Sequence, residues 1–224
     1  MILLVPEVLK PDELALVRAL LKAARFVEGR LSAGAVARRV KNNEELSTDA
    51  QDLERLNRVV MGSLTRHPVY RAGALPLHAA SPLYARYRPG MTYGDHLDDP
   101  IMGADGLKYR SDIALTVFLN SPQEYDGGEL TIHTSAGEQV VKLAAGDAVL
   151  YPAGSIHHVS PVTRGERLVA VTWVQSLVRD AGRRELLYGL NAAREKLLRD
   201  APDAIETGQV NAAYLNLIRM WSEI

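Results

Sequence analysis

His96 and Asp98 stand one residue apart in the stretch Tyr93-Gly-Asp-His96-Leu-Asp98-Asp99. On a β-strand alternate side chains share a face, so an imidazole and a carboxylate at this spacing point the same way. They supply two of the three ligands of a 2-His-1-carboxylate centre, the set that suits non-haem Fe(II) and leaves coordination positions open for chemistry. A polar strand end gives the same pattern by chance, so a metal site also requires a third ligand and a co-substrate anchor. The third ligand is sought in Pro152-Ala-Gly-Ser-Ile-His157-His158. Neighbouring side chains of an extended segment diverge, so His157 and His158 do not both face one metal.

Arg167 follows, at the start of the apolar run Leu168-Val-Ala-Val-Thr-Trp-Val174. A guanidinium opening into an apolar barrel needs an anionic partner, because an unpaired buried charge costs several kcal/mol. Its planar fork matches a carboxylate with two parallel hydrogen bonds. Two kinds of partner suit it. One is an internal carboxylate such as Glu129 or Asp147. The other is a dicarboxylate co-substrate that chelates the metal at its far end.

The rest of the chain must position these groups. Its 224 residues, 47% hydrophobic and 24% charged, fit one domain with appendages or at most two small ones. A net charge of -1 gives no electrostatic reason to expect nucleic acid or an anionic membrane as partner. The absence of cysteine excludes disulfides, thiolate metal sites and a cysteine nucleophile, and fits a cytoplasmic, reducing compartment. Met1–Val5 reads as a first strand and not as a signal peptide, and no apolar run is long enough to span a bilayer.

Helical periodicity is expected after Pro11, with Asp12 as N-cap, and again through Leu53–Leu64, with Thr48 and Gln51 at capping-box spacing. Phe26–Arg30 reads as a turn, Leu31–Val40 is undecided between types, and Lys41–Glu44 reads as a polar break. From about Leu75, short β-type runs alternate with turn clusters, which predicts two facing sheets of antiparallel strands. Those runs are Leu83–Arg88, Tyr93–Asp98, Asp112–Asn120, Glu129–Thr134, Gln139–Leu143, Ala148–Tyr151 and a central Arg167–Val174. Asp99–Lys108 reads as a lid loop. After Gln175 two amphipathic helices are expected, the second carrying Tyr214, Leu217, Ile218 and Trp221 on one face. The expected fold is therefore mainly β with flanking helices, a double-stranded β-helix (jelly-roll) core. Residues 1–77 form an N-terminal support region, 78–177 the core and 178–224 a helical extension.

Tyr87-Arg-Pro-Gly-Met-Thr-Tyr93-Gly-Asp-His96-Leu-Asp98 resembles the first-ligand segment of the prolyl 4-hydroxylase-type Fe(II)/2-oxoglutarate oxygenases. His157-His-Val-Ser-Pro161-Val-Thr-Arg-Gly165-Glu-Arg167 resembles their second segment. Phe26–Arg30, the Lys41-Asn-Asn run, Phe118–Pro122, Tyr125–Leu130, Trp173–Ser176 and the tail near Arg219–Trp221 are similar to one bacterial branch, the PKHD-type hydroxylases linked to iron uptake. The resemblance implies His96, Asp98 and His157 as the metal ligands, with His158 outside the set. It implies Arg167 as the anchor for the C5 carboxylate of 2-oxoglutarate. Tyr87 matches a tyrosine that lines the co-substrate pocket, though an aromatic on a strand serves equally as core. One relative carries a tyrosine near the end of the Ile113–Leu119 strand to help hold that carboxylate, where this chain has Phe118, so Arg167 needs another helper or none. Asp98 is a true carboxylate, which implies hydroxylation and not halogenation.

The implied reaction consumes O2 and 2-oxoglutarate at Fe(II), hydroxylates a small-molecule or peptidyl substrate and releases succinate and CO2, with L-ascorbate rescuing oxidised iron. Two other readings share the fold. A non-catalytic iron/2-oxoglutarate sensor would release no succinate, and a cupin-type metalloenzyme would not need Arg167. The C-terminal helices permit a homo-oligomer without requiring one.

Overall fold

The strand Ile113–Phe118 is buried on both faces, and its period-two alternation sends side chains into two different cores. Ile113, Leu115 and Val117 pack with Val17, Leu21, Leu56, Val60 and Leu64 of the N-terminal helices. Ala114 and Phe118 point the other way, to Leu130, Ile132 and Val159 of an opposing sheet. The strand is thus the middle layer of a helix–sheet–sheet stack, which is why its sequence is apolar without interruption. The computed structural model that gives this arrangement describes residues 1–32 and 34–224.

The larger sheet has eight strands. In spatial order they are Leu3–Val5, Ala148–Pro152, Ile113–Phe118, Arg167–Ser176, Leu83–Tyr87, Glu44–Leu46 and Phe26–Glu28, with Pro76–Ala79 added beside Arg167–Ser176. The smaller sheet runs Gly137–Val141, Leu130–Thr134, His157–Val159, Thr92–His96 and Lys41–Asn42. All recorded pairings within these two sheets are antiparallel. Two antiparallel sheets face to face, with helices outside the larger one, make the expected jelly-roll, and Arg167–Ser176 is central as expected.

Helices α1 (Pro11–Ala23), α2 (Leu53–Arg66) and α3 (Pro68–Ala74) precede the core, and α4 (Ala181–Asp200) and α5 (Ile205–Trp221) follow it. Tyr214, Leu217, Ile218 and Trp221 of α5 dock on Leu75, Val178 and Leu187 of the same chain. Among the described residues no helix is long and apolar enough to cross a membrane.

Several local expectations are corrected. Helix α1 is capped at Lys10, whose N–H donates to Glu13 at 3.0 Å, and not at Asp12. The residue before α2 is Asp52, so Thr48 and Gln51 do not form its capping box. Phe26–Glu28 is a strand held by Glu44–Leu46, and a lone sequence window carries no trace of that distant partner. A short 3-10 turn, Gly29–Ser32, runs from the expected turn into the undecided stretch 31–40, which also holds the 3-10 turn Ala37–Arg39, and Ala33 lies outside the described residues. The lid segment is partly ordered as a hairpin, Ile101–Met102 against Tyr109–Arg110.

One further pair of strands was not anticipated: Tyr125–Gly127 against Val162–Gly165. Gly127 has φ +71°, and a Cβ there would sit 2.0 Å from the Pro161 carbonyl oxygen. Only glycine admits both the left-handed backbone and that approach. The pair it closes brings Tyr125 against the Arg167 end of the central strand.

Candidate active site

His96 and His157 are cross-strand partners on the smaller sheet, with ring centroids 4.2 Å apart. Register therefore brings the histidines of the two motifs together. The strand ends at His96, so Asp98 is not on it, contrary to the same-strand expectation. The Asp98 carboxylate nonetheless lies 3.9 Å from His157 Nε2. One ligand atom from each of His96, Asp98 and His157 lies within 4.8 Å of the others.

The donor set fits a divalent metal in a second respect. His96 Nδ1 donates to the Gly94 carbonyl at 2.8 Å, and His157 Nδ1 donates to the Ser155 carbonyl at 2.9 Å. Both rings are thereby fixed as the tautomer with a bare Nε2, the state a metal requires. Asp98 Oδ2 is buried with no hydrogen-bond partner, an expensive condition that a cation relieves. Tyr93 stacks on His96 at 3.6 Å, and Tyr151 meets His157 edge-on, so neither imidazole is free to swing.

Burial sets the proton affinities. It pushes His96 down to about 4, helped by the neighbouring His157, so His96 is neutral near pH 7. Burial also raises the Asp98 carboxyl, opposed by His157 and the Trp173 indole. For His96 the linkage sign follows directly. Above about pH 6.5 folded and unfolded forms are both neutral there, and as pH falls towards 4 only the unfolded chain gains the proton. The metal-free protein is expected to lose up to about 3 kcal/mol relative to His96→Gln over that window. Urea titrations at several pH values check this, and parallel curves for the two proteins would refute it.

Arg167 faces the same space from the larger sheet. It is 2% exposed, its Nε has no hydrogen-bond partner, and among the described residues no carboxylate lies within salt-bridge distance of it. The internal partners considered above are otherwise engaged: Glu129 pairs with Lys142 at 3.2 Å, and Asp147 accepts from the Glu7 N–H at 2.8 Å. What surrounds the guanidinium is aromatic, with the Tyr87 ring at 5.0 Å and the Phe118 ring at 5.6 Å. Tyr125 stands beside it with an orphaned hydroxyl, and burial raises that phenol while Arg167 opposes the rise. Tyr87 is both core and lining: it is buried, it pairs in register with Arg167, and it bounds the cavity.

The cavity that joins the triad to Arg167 has a volume of about 430 Å³. Its wall includes residues whose role the sequence reading did not assign. Lys41, Asn43 and Glu45 are buried, although the polar composition of Lys41–Glu44 predicts a break, and Lys41 is ion-paired with Glu45. Their signal was present as period-two alternation: 41, 43 and 45 share one face of an extended segment. His158 points to the other face of its sheet and pairs with Asp95 at 2.8 Å, so it is not brought to the triad.

Residues 82–175 match the family described as the 2OG-Fe(II) oxygenase superfamily, and residues 181–223 match the PKHD-type hydroxylase C-terminal domain. A PKHD-type hydroxylase of Thioalkalivibrio sulfidiphilus is 51% identical, with both chains covered in full, and one of Paracoccus denitrificans is 42% identical on the same terms. Among solved structures, a Pseudomonas putida prolyl-4-hydroxylase aligns with a TM-score of 0.53 at 21% identity, covering 78% of this chain and 92% of that one. A Trichoplax adhaerens prolyl hydroxylase aligns with a TM-score of 0.56 at 17% identity, covering 83% and 86%. At those identities the structural likeness speaks for the fold alone.

Jelly-roll, His-x-Asp…His cluster and full-length kinship together define an Fe(II)- and 2-oxoglutarate-dependent oxygenase. Within that superfamily the chain belongs to the PKHD-type hydroxylases.

Proposed function

We propose that His96, Asp98 and His157 hold the Fe(II) of this hydroxylase and that Arg167 takes the far carboxylate of 2-oxoglutarate. The observation that carries this reading is the buried Arg167 guanidinium, which has no internal carboxylate and opens on the cavity that the triad also lines. Bound there, iron and 2-oxoglutarate supply the oxidising power that places one oxygen atom of O2 on a substrate carbon, with succinate and CO2 released. The chain's own residues do the rest. The two Nδ1–carbonyl bonds present bare Nε2 atoms, and Asp98 supplies the anionic ligand. Tyr125 helps Arg167 grip the carboxylate in the role that Phe118 cannot fill, since both have orphaned polar atoms a carboxylate satisfies. Tyr87 and Phe118 wall the anchor off from water.

Substrate reaches the cavity between two segments, 29–45 and 97–110. Leu97, Asp99, Ile101 and Met102 line it from one side, and Ser32, Lys41 and Glu45 from the other. The two sides meet closely at Gly34, where an added Cβ would stand 3.3 Å from the Asp99 carboxylate. The volume suits a peptidyl side chain or a small molecule. L-ascorbate is proposed as the reductant that restores ferrous iron between turnovers. The cytoplasm is the proposed compartment, since a chain with no cysteine uses no disulfide. Residues 1–77, 78–177 and 178–224 are proposed as support, catalytic and C-terminal regions, which the extents of the two family matches favour. Leu186, Leu215 and Met220, exposed on α4 and α5, are the proposed contact for a homo-oligomer.

Anaerobic titration of Fe(II) and 2-oxoglutarate into metal-free protein tests the ligand assignment. A visible charge-transfer band is expected for wild type and for His158→Ala and not for His157→Ala. Metal bound by wild type without a band, or a band surviving in His157→Ala, would overturn it.

A further inference from the structure

The smaller sheet carries a second pair of histidines with a carboxylate on the face opposite the triad. His96 and His157 point inward, so their neighbours Asp95 and His158 point outward, and His133 joins them from the adjacent strand. His158 Nδ1 lies 2.8 Å and His133 Nε2 3.3 Å from the same oxygen, Asp95 Oδ1. One ligand atom from each residue lies within 4.8 Å of the others. His133 Nε2 is itself buried without a hydrogen-bond partner, although the His133 side chain as a whole is 35% exposed. Its other nitrogen, Nδ1, lies 3.7 Å from the Glu138 carboxylate, the residue directly across the hairpin. A carboxylate on that side favours the proton on Nδ1 and leaves Nε2 bare towards Asp95.

We propose that Asp95, His133 and His158 form a second site, for a divalent transition cation of zinc type, back to back with the catalytic centre. The chemistry of the donors selects the class: two imidazoles and one carboxylate suit Zn(II) and its neighbours and not Mg(II) or Ca(II), which demand oxygen shells. The dimensions agree. Tetrahedral zinc with ligands at about 2.0–2.1 Å holds its donor atoms ~3.3 Å apart, the present His133–Asp95 separation. The His158–Asp95 pair would need to open by about half an ångström, exchanging a hydrogen bond for coordination. Water completes the shell, because Asp95 is exposed. The site straddles the Leu130–Thr134, His157–Val159 and Thr92–His96 strands, two of which carry the inner histidines one residue away. A cation there ties these strands together from outside, at the register that sets the His96–His157 pair.

The test is Zn(II) titration of the metal-stripped full chain against a chromophoric chelator, with a thermal melt of each sample. Wild type should bind two equivalents. His133→Ala/His158→Ala should bind one, with the second affinity weakened at least 100-fold, and should melt within a few degrees of wild type when zinc is absent. His157→Ala should keep one equivalent, and zinc-edge X-ray absorption of that sample should report imidazole ligation. The same equivalent should raise its melting temperature, and the rise should vanish when His133→Ala/His158→Ala is added. A single equivalent in wild type, or two undiminished equivalents in His133→Ala/His158→Ala, would overturn the proposal. A melt of His133→Ala/His158→Ala far below wild type without zinc would reassign the cluster to a purely structural hydrogen-bonded role, and would overturn it also.

Discussion

Arg167→Met is expected to abolish saturable 2-oxoglutarate binding while making the ligand-free protein more stable. The two effects have one cause. A guanidinium 2% exposed, with no carboxylate partner among the described residues, is held at a cost that an incoming anion relieves. Tyr87 and Phe118 offset part of that cost by facing the cation with their rings. Replacing a buried ion pair by apolar side chains of similar volume is neutral or stabilises by about 1–4 kcal/mol, and a charge without a carboxylate partner has less attraction to lose. For a chain of this size each kcal/mol moves the melting temperature by about 2–4 °C. The anchor's loss should cost about 3 kcal/mol or more of binding, at least 100-fold in the dissociation constant. Melting curves with and without 2-oxoglutarate, iron present and oxygen excluded, read both effects at once. Wild type should rise with ligand according to mass action, and Arg167→Met should start higher and not move. A variant that starts lower, or that still rises with 2-oxoglutarate, would remove Arg167 from the role.

That expectation was half legible in the sequence. Arg167 at the head of an apolar strand announced a buried charge, and Glu129 and Asp147 stood as rival partners until geometry occupied both elsewhere. The candidate ligands were legible for a local reason, because His-x-Asp and the spaced His157 and Arg167 are short-range patterns. The core strands were legible too, since Ile113–Phe118 and Arg167–Ser176 are long, apolar and decided by burial. What escaped depends on partners far away in the chain. Phe26–Glu28 is a strand only because Glu44–Leu46 pairs with it, and Tyr125–Gly127 only because Val162–Gly165 does. Asp98 joins the cluster as its spacing from His96 predicts, although the strand itself ends at His96. The outer Asp95–His133–His158 cluster was hidden because its members are scattered, and are united only by the register that pairs His157 with His96 and with Ile132.

Lys41→Met is expected to destabilise the protein strongly, and Lys41→Met/Glu45→Leu to recover most of the loss. Both partners are 7% exposed on the cavity wall, and Lys41 also donates to Ser32 Oγ at 2.8 Å. Removing the lysine leaves the largely buried Glu45 with only the Ser32 hydroxyl to donate to it. Breaking one side of such a pair costs about 3–5 kcal/mol, and the surviving Ser32 contact puts this case near the lower figure. With both charges gone, nothing buried is left unpaired, and apolar side chains fill the same volume. A double-mutant cycle from urea unfolding should therefore return a coupling of about 2 kcal/mol or more. Additive single effects would refute the buried-pair reading. The expected pattern bears on function through its asymmetry. A pair that apolar residues replace at little cost in stability is not kept for stability. Lys41 stands 5.2 Å over the Tyr93 ring, which in turn stacks on His96, so the pair abuts the candidate ligand His96. Both residues line the cavity beside the candidate triad, where the expected pattern would mark the pair as kept for what the cavity binds and not for stability.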